Sequence, residues 1–192
     1  MQGKLIVVSG PSGAGKDTLI KAALAEIPSL ALVASATTRP PRPGEVDGRD
    51  HVFLSREEFE RWIREGKLLE WAEYSGNLYG TPKESVERLL AEGRNVILRI
   101  ELQGARAIKK KRPDAVMIFV RAPSLEETRR RLESRATETR ESLESRMATA
   151  VKEVAAREEF DYEVVNGDRE QASETMIELL RKIVEGEDED AG

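Results

Sequence analysis

A chain of 192 residues with no cysteine and a net charge of −5 has room for one sizeable α/β core and excludes disulfides and thiol chemistry. No apolar N-terminal segment and no long apolar run occurs in it, so it reads as a soluble, cytoplasmic protein. The negative charge is local: Glu185, Glu187, Asp188, Glu189 and Asp190 hold five of the 36 acids, which leaves residues 1–184 with 31 acids against 31 bases and an acidic tail expected to be disordered.

The first element carries the chemistry. An apolar run, Lys4-Leu5-Ile6-Val7-Val8, leads into Ser9-Gly10-Pro11-Ser12-Gly13-Ala14-Gly15-Lys16 and then a helical pattern, the order of strand, phosphate loop and helix. Glycines admit a backbone path closed to residues with a β-carbon, so the loop Gly10-Pro11-Ser12-Gly13-Ala14-Gly15 turns its N–H groups around a polyphosphate at the helix N-terminus. Lys16 reaches the outer phosphates as a point charge. The spacing Gly10-x4-Gly15-Lys16 fits the motif, but the next position, normally Ser or Thr for magnesium, is Asp17. Thr18 offers a hydroxyl and Asp17 a carboxylate, directly or through water, to a magnesium ion that prefers oxygen ligands and keeps several waters. The reading is a nucleoside triphosphate site.

Leu19, Ile20, Ala23, Leu24 and Ile27 continue at helical spacing until Pro28. A short strand is expected over residues 32–36, followed by Thr37-Thr38-Arg39-Pro40-Pro41-Arg42-Pro43-Gly44-Glu45, where prolines stiffen a loop carrying two arginines. Ser55-Arg56-Glu57-Glu58 predicts a capped helix with Phe59, Trp62 and Ile63 on one face, and residues 68–74 read as extended. Thr81-Pro82-Lys83-Glu84 reads as a second capping box, with Pro82 at the first helical position and Val86, Leu89 and Leu90 as the buried stripe. Residues 95–100 and 115–120 suit buried parallel strands. Ser124-Leu125-Glu126-Glu127 starts an arginine-rich helix, residues 135–140 interrupt it, and a long polar helix follows to about residue 157. So charged a hairpin has little to bury and suits a mobile lid. Residues 161–165 offer a last strand, and Met176, Ile177, Leu180, Ile183 and Val184 mark a closing helix.

Strands alternating with helices predict an α/β fold: a phosphate-loop parallel sheet covered by helices on both faces, with ligands at the carboxyl ends of the strands. Residues 1–34, 94–125 and 156–192 form that core as one domain, residues 35–93 an inserted mixed α/β lobe, and residues 126–155 the helical lid. Bases cluster at Arg39/Arg42, at residues 109–112 and at residues 129–131, which is the pattern of anion sites rather than of a nucleic-acid stripe.

The stretch Ser35-Ala36-Thr37-Thr38-Arg39-Pro40-Pro41-Arg42-Pro43-Gly44-Glu45-Val46-Asp47-Gly48, joined to the phosphate loop, closely resembles guanylate kinases. The match continues through Leu69-Glu70-Trp71-Ala72, Gly76-Asn77-Leu78-Tyr79-Gly80-Thr81-Pro82, Glu101-Leu102-Gln103-Gly104-Ala105, Thr137-Glu138-Thr139 and Val164-Val165-Asn166. The resemblance implies transfer of the terminal phosphoryl group of ATP to GMP, and also to dGMP, with magnesium accompanying the ATP. It implies small-molecule partners, ATP and GMP, and neither nucleic acid nor membrane. By resemblance Arg39, Arg42, His51 and Tyr79 hold the GMP phosphate, while Ser35, Glu70, Thr81 and Glu101 read the guanine, in keeping with arginine forks for phosphate and carboxylates for N–H donors. Lys16, Arg131, Arg135 and Arg146 neutralise the moving phosphoryl group, and Asn166 borders the adenine. The chain departs from the family pattern at Asp17, at His51 where a tyrosine is usual, at Leu78, and at Arg99 in a commonly acidic position.

Two other readings compete. A guanylate-kinase-like interaction domain keeps the fold but has no use for Lys16 or the lid arginines. A ribose bisphosphate phosphokinase is similar at Gly15-Lys16-Asp17 and Asp50-His51 but has no use for Glu70 and Ser35 aimed at a base.

Overall fold

The structure, a computed structural model, describes residues 3–74, 76–134 and 140–186. Two compact units emerge, Met1–Val7 with Ala31–Ala115 and Val8–Leu30 with Val116–Gly192. In chain order the elements are β1 (Leu5–Ser9), α1 (Lys16–Glu26), β2 (Leu30–Leu32), β3 (Ala36–Thr37), β4 (Val52–Phe53), α2 (Arg56–Arg64), β5 (Leu68–Tyr74), β6 (Asn77–Pro82) and α3 (Lys83–Ala91). Then follow β7 (Asn95–Arg99), α4 (Leu102–Lys111), β8 (Val116–Arg121), α5 (Leu125–Glu133), α6 (Arg140–Ala155), a single 3-10 turn (Arg157–Glu159), β9 (Tyr162–Val165) and α7 (Arg169–Glu185).

One sheet has the strand order β2-β7-β1-β8-β9 and a second the order β4-β3-β6-β5. The first is the expected parallel sheet flanked by helices. Its β1 is buried at every residue, as a strand covered on both faces must be. β8 pairs parallel with β9 from Ile118 opposite Tyr162 to Arg121 opposite Val165, and α7 packs against both α1 and β9. The stripe that holds α7 in place is Met176, Leu180 and Ile183, all buried.

The second sheet belongs to the first unit. β3 pairs parallel with β4 and antiparallel with β6, and β5 pairs antiparallel with β6. Ala36, Phe59, Leu68 and Leu78 make its apolar centre, with Val52, Leu54, Trp62 and Ile63 packed around them. Phe59 comes from α2, whose start is secured by the predicted capping box: Ser55 accepts from the Glu58 N–H, and Glu58 accepts from the Ser55 N–H. A cap of this kind stabilises a helix by about 1 kcal/mol.

Three local expectations differ from the structure. The strand expected over residues 32–36 splits, because Leu30–Leu32 belongs to one sheet and Ala36–Thr37 to the other, with residues 33–35 crossing between them. The Thr81-Pro82 capping box is not formed: Pro82 is the N-cap of α3, no side chain caps it, and the Thr81 hydroxyl is taken by Glu70. Helix α4 was not anticipated, since only Ala105 and Ile108 among its side chains are buried apolar residues. The basic cluster at residues 109–112 ends that helix, where Lys109 Nζ donates to the Ala115 carbonyl at 2.9 Å and Lys111 Nζ to that of Leu69 at 2.5 Å. Cations in a last turn also complement the helix dipole.

In the second unit α5 packs on α6. The Ser124 hydroxyl accepts the Glu127 N–H at 3.1 Å, and Thr128, Leu132, Met147, Ala150 and the charged Glu153 are buried positions of these helices. The interruption read at residues 135–140 falls, for residues 135–139, outside the described residues. No described helix is long and apolar enough to cross a membrane.

Candidate active site

The phosphate loop lies in the second unit, between β1 and α1. Gly10, Gly13 and Gly15 all take positive φ, and Gly10 comes so near β8 that a β-carbon there would stand 1.9 Å from the Val120 carbonyl oxygen. The backbone path therefore requires glycine, as the motif demands. Ala14 and Pro11 are buried, while Ser12 and Lys16 are partly exposed. Lys16 folds its ammonium back onto the loop, donating to the carbonyls of Gly10 and of Pro11. An ammonium held by backbone carbonyls can exchange those acceptors for the oxygens of an anion.

Three further predicted residues gather on this loop. Asn166, buried at the end of β9, donates from Nδ2 to the Ala14 carbonyl at 2.8 Å. Arg131 donates from Nη2 to the Asn166 carbonyl at 2.8 Å and from Nε to Glu127 at 2.7 Å. Glu127 is thereby paired with Arg130 and Arg131, which hold its carboxyl down at about 2. Arg146 reaches from α6 to donate to the Ser12 hydroxyl at 2.7 Å. Asp17 and Thr18 occupy the first turn of α1, Asp17 exposed and Thr18 half-buried. Arg135 lies outside the described residues. The hydroxyl of Ser9, the last residue of β1, is buried with no hydrogen-bond partner among the described residues; sequence reasoning gave it no role.

The other predicted set lies in the first unit. Glu70, on β5, is 5% exposed, and its Oε1 accepts the Thr81 hydroxyl of β6 at 2.6 Å, because the antiparallel register sets Glu70 opposite Thr81. Burial pushes its pKa up, against the pull of the Thr81 hydroxyl and of Lys111. Helix α4 passes so close that a β-carbon on Gly104 would stand 2.7 Å from Glu70 Oε2, which explains a glycine inside a helix where it otherwise costs about 1 kcal/mol. Glu101 is the N-cap of α4, half-buried, and its side chain takes no helix N–H.

Arg39 is gripped by Glu45, Nη2 to Oε1 at 2.9 Å and Nη1 to Oε2 at 3.0 Å. Glu45 also accepts the Arg42 N–H at 2.7 Å, and these bonds, with Arg39 first, hold its carboxyl down at about 2. The Arg42 side chain is exposed. Tyr79 stands opposite Thr37 in the β3–β6 register, its ring 6.4 Å from that of His51. His51 is 9% exposed; its Nδ1 faces Ser35, 3.0 Å from Oγ and 3.2 Å from the carbonyl oxygen, and its Nε2 faces Arg99 Nη2 at 3.5 Å. Burial, and then Arg99, pull the imidazole below its usual range. Sequence reasoning missed Glu45 as the partner of both loop arginines; its place three residues after Arg42 was the available signal.

The first unit therefore holds two arginines on one loop, Arg39 paired with Glu45, and a buried carboxylate, Glu70, bonded to the Thr81 hydroxyl, while the second holds the glycine-rich loop with Lys16 folded onto it. The guanylate kinase family model matches residues 2–183. The guanylate kinase of Rubrobacter xylanophilus is 72% identical over 187 residues, covering 97% of this chain and 98% of that protein. That of Synechocystis sp. is 49% identical over 180 residues, covering 94% of each. A crystal structure of guanylate kinase from Anaplasma phagocytophilum superposes with a TM-score of 0.78 at 33% identity, covering 95% of this chain and 87% of that one.

Proposed function

The chain belongs to the guanylate kinase family, and on that premise we propose that it transfers the terminal phosphoryl group of ATP to GMP, and also to dGMP, giving ADP and GDP. The observation that carries the acceptor is Glu70. A buried carboxylate held by Thr81, whose hydroxyl donates to Oε1, keeps lone pairs that a base with adjacent N–H donors satisfies. Guanine has such donors on its Watson–Crick edge and adenine does not present the same pair. Ser35, Thr81 and Glu101 complete the guanine set, and Arg39, Arg42 and Tyr79 the phosphate set; His51, expected beside the phosphate, instead has its Nδ1 at Ser35 and its Nε2 at Arg99. Residues 35–93 act as the acceptor lobe and residues 126–155 as the lid on the phosphate-loop core.

For the donor, the loop N–H groups and Lys16 hold the ATP phosphates, and Asn166 borders the adenine. Arg131, Arg135 and Arg146 are the cations that neutralise the transferring group, since catalysis of this transfer is alignment and charge stabilisation without a covalent intermediate. No group of three or more His, Cys, Asp or Glu among the described residues forms a metal cage. A magnesium ion that shares its shell with the nucleotide needs only one or two protein oxygens, which Asp17 and Thr18 on the first turn of α1 can supply. Such an ion would screen the phosphate charges.

Lys16→Ala tests the assignment, because it removes a charge from a cradle otherwise built of backbone. GMP-dependent ADP release is expected to fall at least about a hundredfold while the circular dichroism spectrum stays that of the parent. Undiminished release would overturn the kinase reading.

A further inference from the structure

Ser35, His51 and Arg99 form a line of contacts within one unit, and two of the three are departures from the family pattern. His51 Nδ1 stands 3.2 Å from the Ser35 carbonyl oxygen and 3.0 Å from its Oγ, while Nε2 stands 3.5 Å from Arg99 Nη2. A carbonyl oxygen only accepts, so Nδ1 carries a proton. A guanidinium only donates, so Nε2 presents its lone pair. Both neighbours select the same neutral tautomer. The Ser35 carbonyl also accepts the Val52 N–H at 3.0 Å, which ties the serine backbone to β4. With Nδ1–H directed at Ser35, its Oγ is an acceptor toward the ring and the hydroxyl keeps its own proton for another acceptor.

We propose that Arg99 and His51 are positioning residues that hold the Ser35 hydroxyl as a hydrogen-bond donor toward the 6-position of the purine, so that a 6-oxo group is accepted and a 6-amino group refused. This rests on the reading of Ser35 as a guanine contact. Were Nε2 protonated instead, Nδ1 would become an acceptor, the hydroxyl would turn its proton to the ring, and Ser35 could accept a 6-amino donor. Arg99 blocks that state by denying Nε2 a proton. The charged and titratable groups around the ring are Arg99 from β7, Arg39 and Glu45 from the loop after β3, and Tyr79 from β6. Burial, Arg99 and Arg39 act together against imidazolium, opposed by the Ser35 contact and Glu45.

The test exploits the fact that His51 is the only histidine. In protein labelled with nitrogen-15 histidine, the long-range proton–nitrogen NMR spectrum shows one imidazole. The expected pattern is a proton on Nδ1 and a bare Nε2 at about pH 7 to 8, above the usual imidazole range. Arg99→Glu supplies an acceptor at Nε2 and should move the proton there, whereas Arg99→Lys, which still only donates, should keep the parent pattern. In steady-state assays the preference in kcat/KM for GMP over 6-thio-GMP, whose sulfur is the weaker acceptor, should shrink about five- to tenfold in Arg99→Glu. A parent ring protonated at Nε2, or a spectrum unmoved by Arg99→Glu, would overturn the proposal; should Arg99→Glu not fold, the parent spectrum and Arg99→Lys decide. If the spectra behave as stated but Ser35→Ala leaves the GMP to 6-thio-GMP ratio unchanged, it is the reading of Ser35 that fails, and with it the donor role assigned to this hydroxyl.

Discussion

Glu45 grips the Arg39 guanidinium with both carboxylate oxygens, at 2.9 and 3.0 Å, and takes the Arg42 N–H at 2.7 Å. One acid thus shapes the loop that carries both proposed phosphate-binding arginines. Glu45→Gln keeps the size and loses the charge, so the loop should lose its preorganisation: KM for GMP is expected to rise about tenfold with kcat changed less than about twofold. A fall in KM would show that Glu45 competes with the phosphate instead of preparing its site.

The same pair makes a prediction in pH. The Arg39 guanidinium and the Arg42 N–H hold the Glu45 carboxyl down at about 2, well below the usual carboxylate range. A depressed acid contributes stability that is present above its unfolded pKa and is lost as pH falls through the folded one. The urea midpoint of the parent should therefore exceed that of Glu45→Gln at pH 7, and the gap should close between about pH 4.5 and pH 2. A gap independent of pH would mean that the pair adds nothing by its charge.

Glu70 has the opposite sign. Burial raises its pKa, so ionising this carboxyl within the fold is costly, and stability associated with the protonated form is lost as pH rises. Glu70→Gln should raise the melting temperature at pH 7, with the gain shrinking toward acid. It should also lower the discrimination in kcat/KM between GMP and AMP by about 1–3 kcal/mol. A variant that gains stability yet keeps its discrimination would remove Glu70 from the guanine set.

How much of this was legible in the sequence depends on how local the cause was. The phosphate loop was read from glycine spacing, because Gly10, Gly13 and Gly15 sit where positive φ is required. α2 was read from a capping box complete within four residues. Thr81 shows the limit: the same local pattern precedes α3, but a partner eleven residues away, Glu70, takes the hydroxyl, and tertiary contact overrides the cap. β3 and β4 have two residues each, too few to show a period. α4 hides its helical face because one of its inward positions is Gly104, set by the approach of Glu70. His51 and Arg99 were both visible as departures, but 48 residues separate them, and no spacing rule joins them.

Asp17 replaces the usual hydroxyl on the first turn of α1. If its carboxylate shares the magnesium shell, Asp17→Ser should restore the common loop and shift the magnesium concentration for half-maximal activity, since a charged ligand binds the ion more tightly than a neutral one. Superimposable magnesium titrations of the two proteins would show that Asp17 serves only the helix N-terminus, where an acid is favourable by about 0.3–1 kcal/mol in any case.

The loop is also pinned from β9, and this can be separated energetically from its backbone geometry. Gly15 has φ of 88° and a β-carbon added there would stand 2.1 Å from Asn166 Nδ2, the atom that donates to the Ala14 carbonyl at 2.8 Å. Gly15→Ala therefore carries two penalties: about 1–2 kcal/mol for a left-handed conformation with a β-carbon, and the displacement of the amide that holds the loop. Asn166→Ala alone loses one buried hydrogen bond, about 1 kcal/mol or more. In the double variant the alanine no longer meets the amide, so its cost should be smaller by at least about 0.5 kcal/mol than in the parent, the coupling expected of contacting residues. Urea unfolding of the four proteins gives that difference, and KM for ATP should rise most in Gly15→Ala and less in Asn166→Ala. Equal costs in the two backgrounds would mean that the left-handed geometry alone sets the price of leaving glycine, and that Asn166 yields freely.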